Sequence, residues 1–212
     1  MDPATPSSVP SEFALLVTAL GGVPDFRKRQ GKLHPLSGTL ALVVLGLMAG
    51  SRSLSAIRRF GRCHPEVLDP LGLRAVPSVA TLSRILAGVE PATVRTALRV
   101  FAASVVAARH VAPTVVAMDG KALRGVYDAA EPALLLHLFA QQSAIVLDQV
   151  AVGPLRDEVR AAETWITTLA EAFPGLAVLT ADALYADRDL CAAIVAQEYA
   201  YLLRLKKTSP SC

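Results

Sequence analysis

The chain has 212 residues, 53% of them hydrophobic, which allows a substantial core in one large domain or two small ones. Its net charge of +3 divides unevenly: residues 1–110 carry 13 Lys/Arg and 6 Asp/Glu, net +7, whereas residues 111–212 carry 8 and 12, net −4. This division favours a polyanion-binding part joined to a part that concentrates carboxylates, with ordinary surface charge as the alternative.

Cysteine usage and hydropathy exclude several classes of protein. The three cysteines, Cys63, Cys191 and Cys212, are widely spaced, which argues against a disulfide framework or a zinc site and fits a reducing cytoplasm. The longest apolar run, Leu40–Ala49, is interrupted by Gly46 and is shorter than the ~18–20 residues that span a bilayer. We therefore expect a cytoplasmic protein without a membrane segment.

Composition and periodicity predict a disordered tail over residues 1–10, a basic helical domain over 11–112, and a second domain over 113–212. Proline, glycine and serine mark the helix ends of the first domain. The predicted helices are Ser11–Leu20, Leu36–Ala49, Ser53–Arg62 with Ser53 as its N-cap, a helix that opens at Pro77-Ser78, and Pro91–His110.

The basic residues of this domain fall in two groups. The loop Asp25–Lys32 and the polar side of the helix Ser53–Arg62 are predicted to contact DNA phosphates. A solvated surface is the alternative for both. The Ser-x-x-Thr-x-x-Arg pattern after Ser78 is also typical of the second helix of a helix-turn-helix. The predicted DNA contacts in this domain are Arg27, Lys28, Arg29, Lys32, Arg58 and Arg59.

After Pro113 the pattern becomes that of a sheet with covering helices. The predicted order is three strands, then a helix, a strand, a helix and a last strand. This is the order of the ribonuclease-H-like fold, in which the first and fourth strands lie side by side. The predicted elements are strands Val115–Met118, Ala133–Gln141 and Ala144–Val152, helix Glu158–Phe173, strand Leu176–Thr180, helix Asp187–Glu198 and strand Tyr199–Leu205.

Two of these strands run into an acid. Asp119 follows Val115–Met118, and Asp182 comes directly after the strand LAVLT and Ala181. A carboxylate at the end of a buried strand needs a cation or a metal ion to offset its charge. Asp119 also precedes Gly120, and Asp-Gly is the commonest hairpin signal, so a turn is the alternative. If the two strands are neighbours, the two acids meet at one edge of the sheet.

Eight stretches distributed over roughly residues 23–206 form a recognisable set: DFRKRQGKLHPL, SRSLSAI, PSVATLSRIL, MDGKALRG, LHLFAQQSAIVLDQVAV, DEV, LTADAL and YLLRLKK. The most specific pieces are D-G-K-x-L-R-G and T-A-D-A-L. Together they resemble a known family, the bacterial insertion-sequence transposases that include the H-repeat-associated proteins.

The resemblance implies a DDE-type enzyme: a helical domain followed by a ribonuclease-H-like catalytic domain, an α/β chain that cleaves and joins duplex DNA at transposon ends. Asp119 and Asp182 match the first two acids of the family, which together with a third hold two Mg²⁺ or Mn²⁺ ions. Lys121, Arg124 and Lys206 are predicted to contact DNA, with neutralisation of the acid cluster as the alternative for Lys121 and Arg124. A homo-oligomer is compatible with the family, and the sequence does not fix the oligomeric state.

No residue here matches the third acid, because the resemblance stops after Lys206. Glu158 matches a family glutamate of unassigned role. Asp148 lies inside a predicted strand and is interpreted as a turn or surface position. We therefore expect an incomplete catalytic domain, truncated before the third acid, in a chain that neither nicks nor joins transposon ends. A non-catalytic DNA-binding protein or transposition inhibitor, and a decayed gene product without function, are the alternatives.

Overall fold

The computed structural model describes residues 12–28, 32–110, 113–122, 134–152 and 157–205. The chain forms two compact units that divide between Ala108 and Arg109. We refer to residues 1–108 as the helical unit and to residues 109–212 as the sheet unit. None of the described helices is both long and apolar enough to cross a membrane.

The helical unit is built from amphipathic and apolar helices that share one hydrophobic cluster. Leu20, Leu42, Leu71 and Leu82 are among its most buried members. Two serines cap helix N-termini. Ser53 Oγ accepts the Ala56 N–H at 3.1 Å, and Ser78 Oγ accepts the Thr81 N–H at 3.1 Å. The helices are α1 (Glu12–Leu20), α2 (Leu36–Met48), α3 (Leu54–Cys63), α4 (Val79–Gly88) and α5 (Pro91–Ala108).

The predicted helix-turn-helix is wrong. The two helices concerned, α3 and α4, are separated by residues 64–78, which include the short 3-10 turn Pro65–Val67. A helix-turn-helix joins its helices through a turn of about three or four residues. Ser78 therefore caps an ordinary helix of the unit, and the pattern after it carries no indication of a recognition helix.

The sheet unit contains a five-stranded mixed sheet in the order β3-β2-β1-β4-β5. The first three strands form antiparallel pairs, while β4 pairs parallel with both β1 and β5. This confirms the predicted α/β class and the predicted pairing of the first and fourth strands. The strands are β1 (Val115–Ala122), β2 (Leu134–Ala140), β3 (Ile145–Ala151), β4 (Val178–Ala181) and β5 (Ala200–Leu203).

Helices cover one face of this sheet. They are α6 (Glu158–Ile166), α7 (Leu169–Ala172) and α8 (Arg188–Ala196). The single helix predicted over Glu158–Phe173 is broken at Thr167 and Thr168, whose hydroxyls bond back to the carbonyls of Thr164 and Trp165. Side chains alternate between the two faces of each strand, so the covered face holds Val116 and Met118.

Asp148 corrects a further prediction, because it is neither in a turn nor at the surface. It lies in β3 with only 5% of its surface exposed. Its Oδ2 accepts the indole N–H of Trp165 at 3.0 Å, and its Oδ1 accepts the Gln149 N–H. Trp165 is buried, as predicted from its helical spacing. The pair joins α6 to the sheet and satisfies a buried carboxylate with hydrogen bonds.

Candidate metal centre and nucleic-acid surface

Asp119 lies within β1 rather than at its end. The strand continues to Ala122 because β2 pairs with it over this whole length, with Asp119 opposite His137 and Ala122 opposite Leu134. The predicted boundary at Met118 is therefore wrong, and the Asp-Gly hairpin alternative is excluded. The Asp119 side chain is exposed. Because neighbouring residues alternate in direction, it lies on the face opposite that of Gly120.

Asp182 follows β4 at the position that matches Asp119 in the neighbouring strand β1. The parallel register pairs Ala117 of β1 with Thr180 of β4, and each acid comes two residues later in its own segment. Asp182 has an extended backbone and is the N-cap of a 3-10 turn, Ala183–Tyr185. Its Oδ1 accepts the Leu184 N–H at 2.8 Å, which fixes the carboxylate at the start of the turn.

Tyr185 connects these acids with a third. It is a fully buried side chain, and its hydroxyl donates to Oε2 of Glu158 at 2.9 Å. Burial raises the pKa of the Tyr185 phenol well above its usual range, and the hydrogen bond to Glu158 and the negative charges of Glu158, Asp119 and Asp182 add to this rise. Three carboxylates therefore contribute to the raised pKa of one phenol.

The structure explains why the D-G-K motif has a glycine, Gly120, at its second position. A Cβ atom at this position would overlap Oε2 of Glu158 and would lie 2.8 Å from the Tyr185 hydroxyl. Only glycine leaves room for both groups on the covered face of β1. The Glu158 carboxylate thus lies directly against the strand that carries Asp119, from the opposite side of the sheet.

In the helical unit, the exposed arginines of α3 form a basic surface. Arg58, Arg59 and Arg62 line a cavity of about 470 Å³, together with Ser55, Cys63 and Val79. Arg59 also lines a neighbouring cavity of about 380 Å³ that includes Arg52. We call Arg52, Arg58, Arg59 and Arg62 the α3 arginine surface. The planar guanidinium groups of these arginines carry N–H donors that match the geometry of phosphate oxygens.

In the basic loop before α2, two of the cations lie against an acid of the same loop, Asp25. Arg27 forms a bidentate pair with Asp25, Nε to Oδ1 at 2.9 Å and Nη2 to Oδ2 at 3.0 Å, and its side chain is only 9% exposed. This pair holds the pKa of the Asp25 carboxyl well below its usual range. Lys32 is more exposed and lies 3.4 Å from the same carboxylate, and Lys28 is exposed.

Comparisons with known proteins point to one family. Residues 17–102 match the family model described as DDE_Tnp_1-associated. The chain is 24% identical over 202 residues to the "H repeat-associated putative transposase YhhI" of Escherichia coli K12, covering 93% of this chain and 52% of that protein. Over most of its length the chain is therefore similar to an H repeat-associated putative transposase. It spans about half the length of YhhI.

Two further likenesses accompany this finding. The chain is 25% identical over 198 residues to the "Putative transposase YncI" of the same strain, covering 90% of this chain and 77% of that one. A solved piggyBac transposase synaptic complex with hairpin DNA has a TM-score of 0.46 at 10% identity, covering 94% of this chain and 51% of that chain. The structural likeness is too slight to carry an argument.

The structure brings only some of the predicted site residues together. Asp119 and Asp182 lie at matched positions of neighbouring strands, and Lys121 is exposed two residues after Asp119, on the same face of the sheet. Within the described ranges, no group of three or more His, Cys, Asp or Glu side chains is placed to hold a metal ion. Arg29, Arg124 and Lys206 lie outside the described residues.

Sequence reasoning missed Glu158 and Tyr185 as neighbours of the two acids. Glu158 lies 27 residues before Tyr185, so nothing local in the sequence joins them. The available signal was the match of Glu158 to a family glutamate. The second signal was Gly120. Once a turn is excluded, a glycine inside a strand indicates that another group approaches the backbone closely.

Proposed function

We propose that this chain is the DNA-binding and metal-binding part of a DDE-type insertion-sequence transposase that acts on transposon-end duplex DNA in the bacterial cytoplasm. The observation that carries the proposal is the parallel pairing of β1 with β4. It gives Asp119 and Asp182 matched positions on neighbouring strands in a homologue of transposases. Cleavage and joining of phosphodiester bonds is the reaction class that this pair of acids suits.

The two aspartates are the residues that would hold Mg²⁺ or Mn²⁺. Both carboxylates are exposed, and hard divalent cations prefer oxygen ligands of this kind. When bound, two such ions stabilise the attacking and the leaving oxygen of an in-line displacement at phosphorus. Each aspartate offsets part of the charge of an ion, while the exposed Lys121 offers an ammonium group to phosphate on the same face of the sheet.

The helical unit would supply most of the sequence-independent affinity for DNA. The α3 arginine surface and the exposed Lys28 and Lys32 are the groups available for phosphate contacts. Arg27 is less available for this role than the sequence predicts, because its guanidinium is mostly buried against Asp25. We assign Arg27 to holding the loop and the neighbouring lysines to DNA.

A second candidate function is a transposition inhibitor that binds DNA without cleaving it. One observation favours it: in the part of the chain that the structure describes, Asp119 and Asp182 lack a third acid that completes a metal-holding group. The two candidates share the DNA-binding surface. They differ in whether Asp119 and Asp182 bind a divalent metal ion.

Mn²⁺ binding to the full chain, followed by electron paramagnetic resonance of free Mn²⁺, tests the metal centre. We expect Asp119→Asn to weaken binding by at least about ten-fold, since even outer-shell substitutions cost about 10–100-fold in metal affinity. The matched control is Asp189→Asn, an exposed aspartate of α8. Equal Mn²⁺ affinity in wild type and Asp119→Asn would contradict the metal centre.

The same variants separate the two candidates in a nicking assay on transposon-end DNA. Metal-dependent nicking that disappears in Asp119→Asn supports the transposase. Retention of DNA and Mn²⁺ without nicking is the result expected for a transposase part with two carboxylates and no third, whereas retention of DNA without Mn²⁺ binding or nicking supports the inhibitor.

A further inference from the structure

Glu158 and Tyr185 form a contact that the proposed reaction does not use directly. Glu158 lies in the first turn of α6, after the N-cap Asp157, and Tyr185 ends the 3-10 turn that follows β4. Tyr185 is only 1% exposed, and its hydroxyl donates to Glu158 at 2.9 Å. A partly buried hydrogen bond from a phenol to a carboxylate is a geometrically specific link between two elements.

Gly120 is the third member of this arrangement. The Glu158 carboxylate and the Tyr185 hydroxyl both lie where a side chain at position 120 would start. They therefore pack directly on the backbone of β1, one residue after Asp119. Strand alternation puts Asp119 on the opposite face, so this contact fixes the strand without covering the aspartate.

The same turn fixes Asp182 from the other end. The Asp182 carboxylate accepts the Leu184 N–H, and the Tyr185 N–H bonds to the Asp182 carbonyl at 3.3 Å. Asp182 and Tyr185 are thus the two ends of one hydrogen-bonded turn. Whatever holds Tyr185 in place also limits where Asp182 can lie relative to β1.

We propose that Glu158, Tyr185 and Gly120 form a clamp that holds the Asp182 turn against β1 and so sets the position of Asp182 relative to Asp119. Glu158 and Tyr185 are positioning residues, since they act through Asp182. The inference rests on the proposed metal centre for its functional meaning, while the clamp itself is a contact that can be tested without metal. Burial keeps the phenol protonated, so that it remains a donor to Glu158.

A pair of tyrosines offers a matched test in the full-length chain. Tyr185→Phe removes a bonded hydroxyl, whereas Tyr199→Phe removes a buried hydroxyl of the same unit that has no hydrogen-bond partner among the described residues. We expect Tyr185→Phe to speed amide hydrogen exchange at Leu184, whose N–H bonds to Asp182. We expect Tyr199→Phe to leave that amide unchanged.

The second measurement is Mn²⁺ affinity. We expect about a ten-fold loss in Tyr185→Phe, the lower end of what outer-shell substitutions cost, and no change in Tyr199→Phe. Gly120→Ala should lose at least as much, because its Cβ displaces the Glu158 carboxylate. Unchanged Leu184 exchange together with unchanged Mn²⁺ affinity in Tyr185→Phe would overturn the clamp.

Glu158→Gln distinguishes positioning from direct metal binding. A glutamine oxygen still accepts the Tyr185 hydroxyl, so a positioning role predicts that Glu158→Gln retains most of the Mn²⁺ affinity that Glu158→Ala loses. A loss in Glu158→Gln as large as in Asp119→Asn would overturn positioning and make Glu158 a ligand.

Failure of the proposed function gives a different result. If wild type and Asp119→Asn bind Mn²⁺ equally, the metal centre is wrong, whatever the Tyr185 variants do. If Asp119→Asn loses binding and Tyr185→Phe behaves like Tyr199→Phe in both measurements, only the clamp is wrong.

Discussion

The two units of this chain present opposite charges to what we propose is the same ligand. The helical unit places exposed arginines on α3, above a hydrophobic cluster to which Ile57 of the same helix belongs. The sheet unit places exposed aspartates at neighbouring strands, and residues 111–212 have a net charge of −4 against +7 for residues 1–110. A phosphate can contact the first surface directly, but it can approach the second only through a cation.

This difference separates affinity from chemistry. Contacts between arginine and phosphate release counterions and are independent of divalent metal. Carboxylates repel phosphate until a metal ion reverses the local charge. Substitutions in the helical unit should therefore weaken DNA binding in the presence of a chelator, whereas substitutions of Asp119 or Asp182 should weaken it only when Mg²⁺ or Mn²⁺ is present.

The largest expected effect comes from the α3 arginine surface. Replacing Arg58, Arg59 and Arg62 together by alanine removes three candidate partners of DNA phosphates. The slope of log affinity against log salt should fall by about 0.9 for each phosphate that the variant no longer neutralises, so by up to about three. Fluorescence anisotropy of labelled duplex DNA, titrated in a chelator at several salt concentrations, measures this slope.

The control for this experiment is a triple alanine variant of Arg160, Arg188 and Arg204, which are exposed arginines of the sheet unit. It carries the same change in net charge. If both triple variants lower the slope equally, the helical unit has no special DNA surface and the comparison between the units fails.

A smaller effect is expected from the buried carboxylate of the sheet unit. Asp148→Ala leaves the indole N–H of Trp165 buried without its acceptor, which should cost about 2 kcal/mol of unfolding free energy. Urea unfolding followed by circular dichroism measures this loss, with the exposed Glu171→Ala as control. A loss no greater than that of the control would mean that the hydrogen bond contributes little.

The smallest effect concerns Asp25 in the helical unit, which is more exposed than Asp148. Its pKa is lowered in the folded state by Arg27, so its contribution is present above the ordinary value of about 3.9 and is lost as the pH falls through the lower, folded value. Asp25→Asn should cost about 1 kcal/mol at pH 7 and progressively less below about pH 4.

Urea unfolding between pH 7 and pH 3 checks this dependence. Asp69→Asn, an exposed aspartate of the same unit, is the control. A difference between Asp25→Asn and wild type that stays constant over this range would show that Asp25 contributes through packing rather than through its charge.

What the sequence predicted well was local. The predicted cap Ser53 bonds to a backbone N–H three residues away, so the pattern alone contains the interaction. The strand order was also predictable, because hydrophobic runs of strand and helix length follow one another in a recognisable sequence. The predicted strand order placed Asp119 and Asp182 on neighbouring strands.

What the sequence did not predict depends on contacts between distant residues. Nothing near Asp148 indicates that Trp165 will supply its hydrogen bond from α6. Gly120 suggested a turn, since the Glu158 carboxylate that requires a glycine there comes from another element. The helix-turn-helix pattern failed for a related reason: residue types around Ser78 do not reveal the length of the connection that precedes them.

The buried hydrogen bond between Trp165 and Asp148 also gives the protein an intrinsic optical probe. Trp165 is the only tryptophan of the chain, and it lies under the sheet. Its fluorescence emission, excited at a wavelength that tyrosine does not absorb, therefore comes from the sheet unit alone. Comparing its emission with far-ultraviolet ellipticity during unfolding would show whether the two units melt together, without any label.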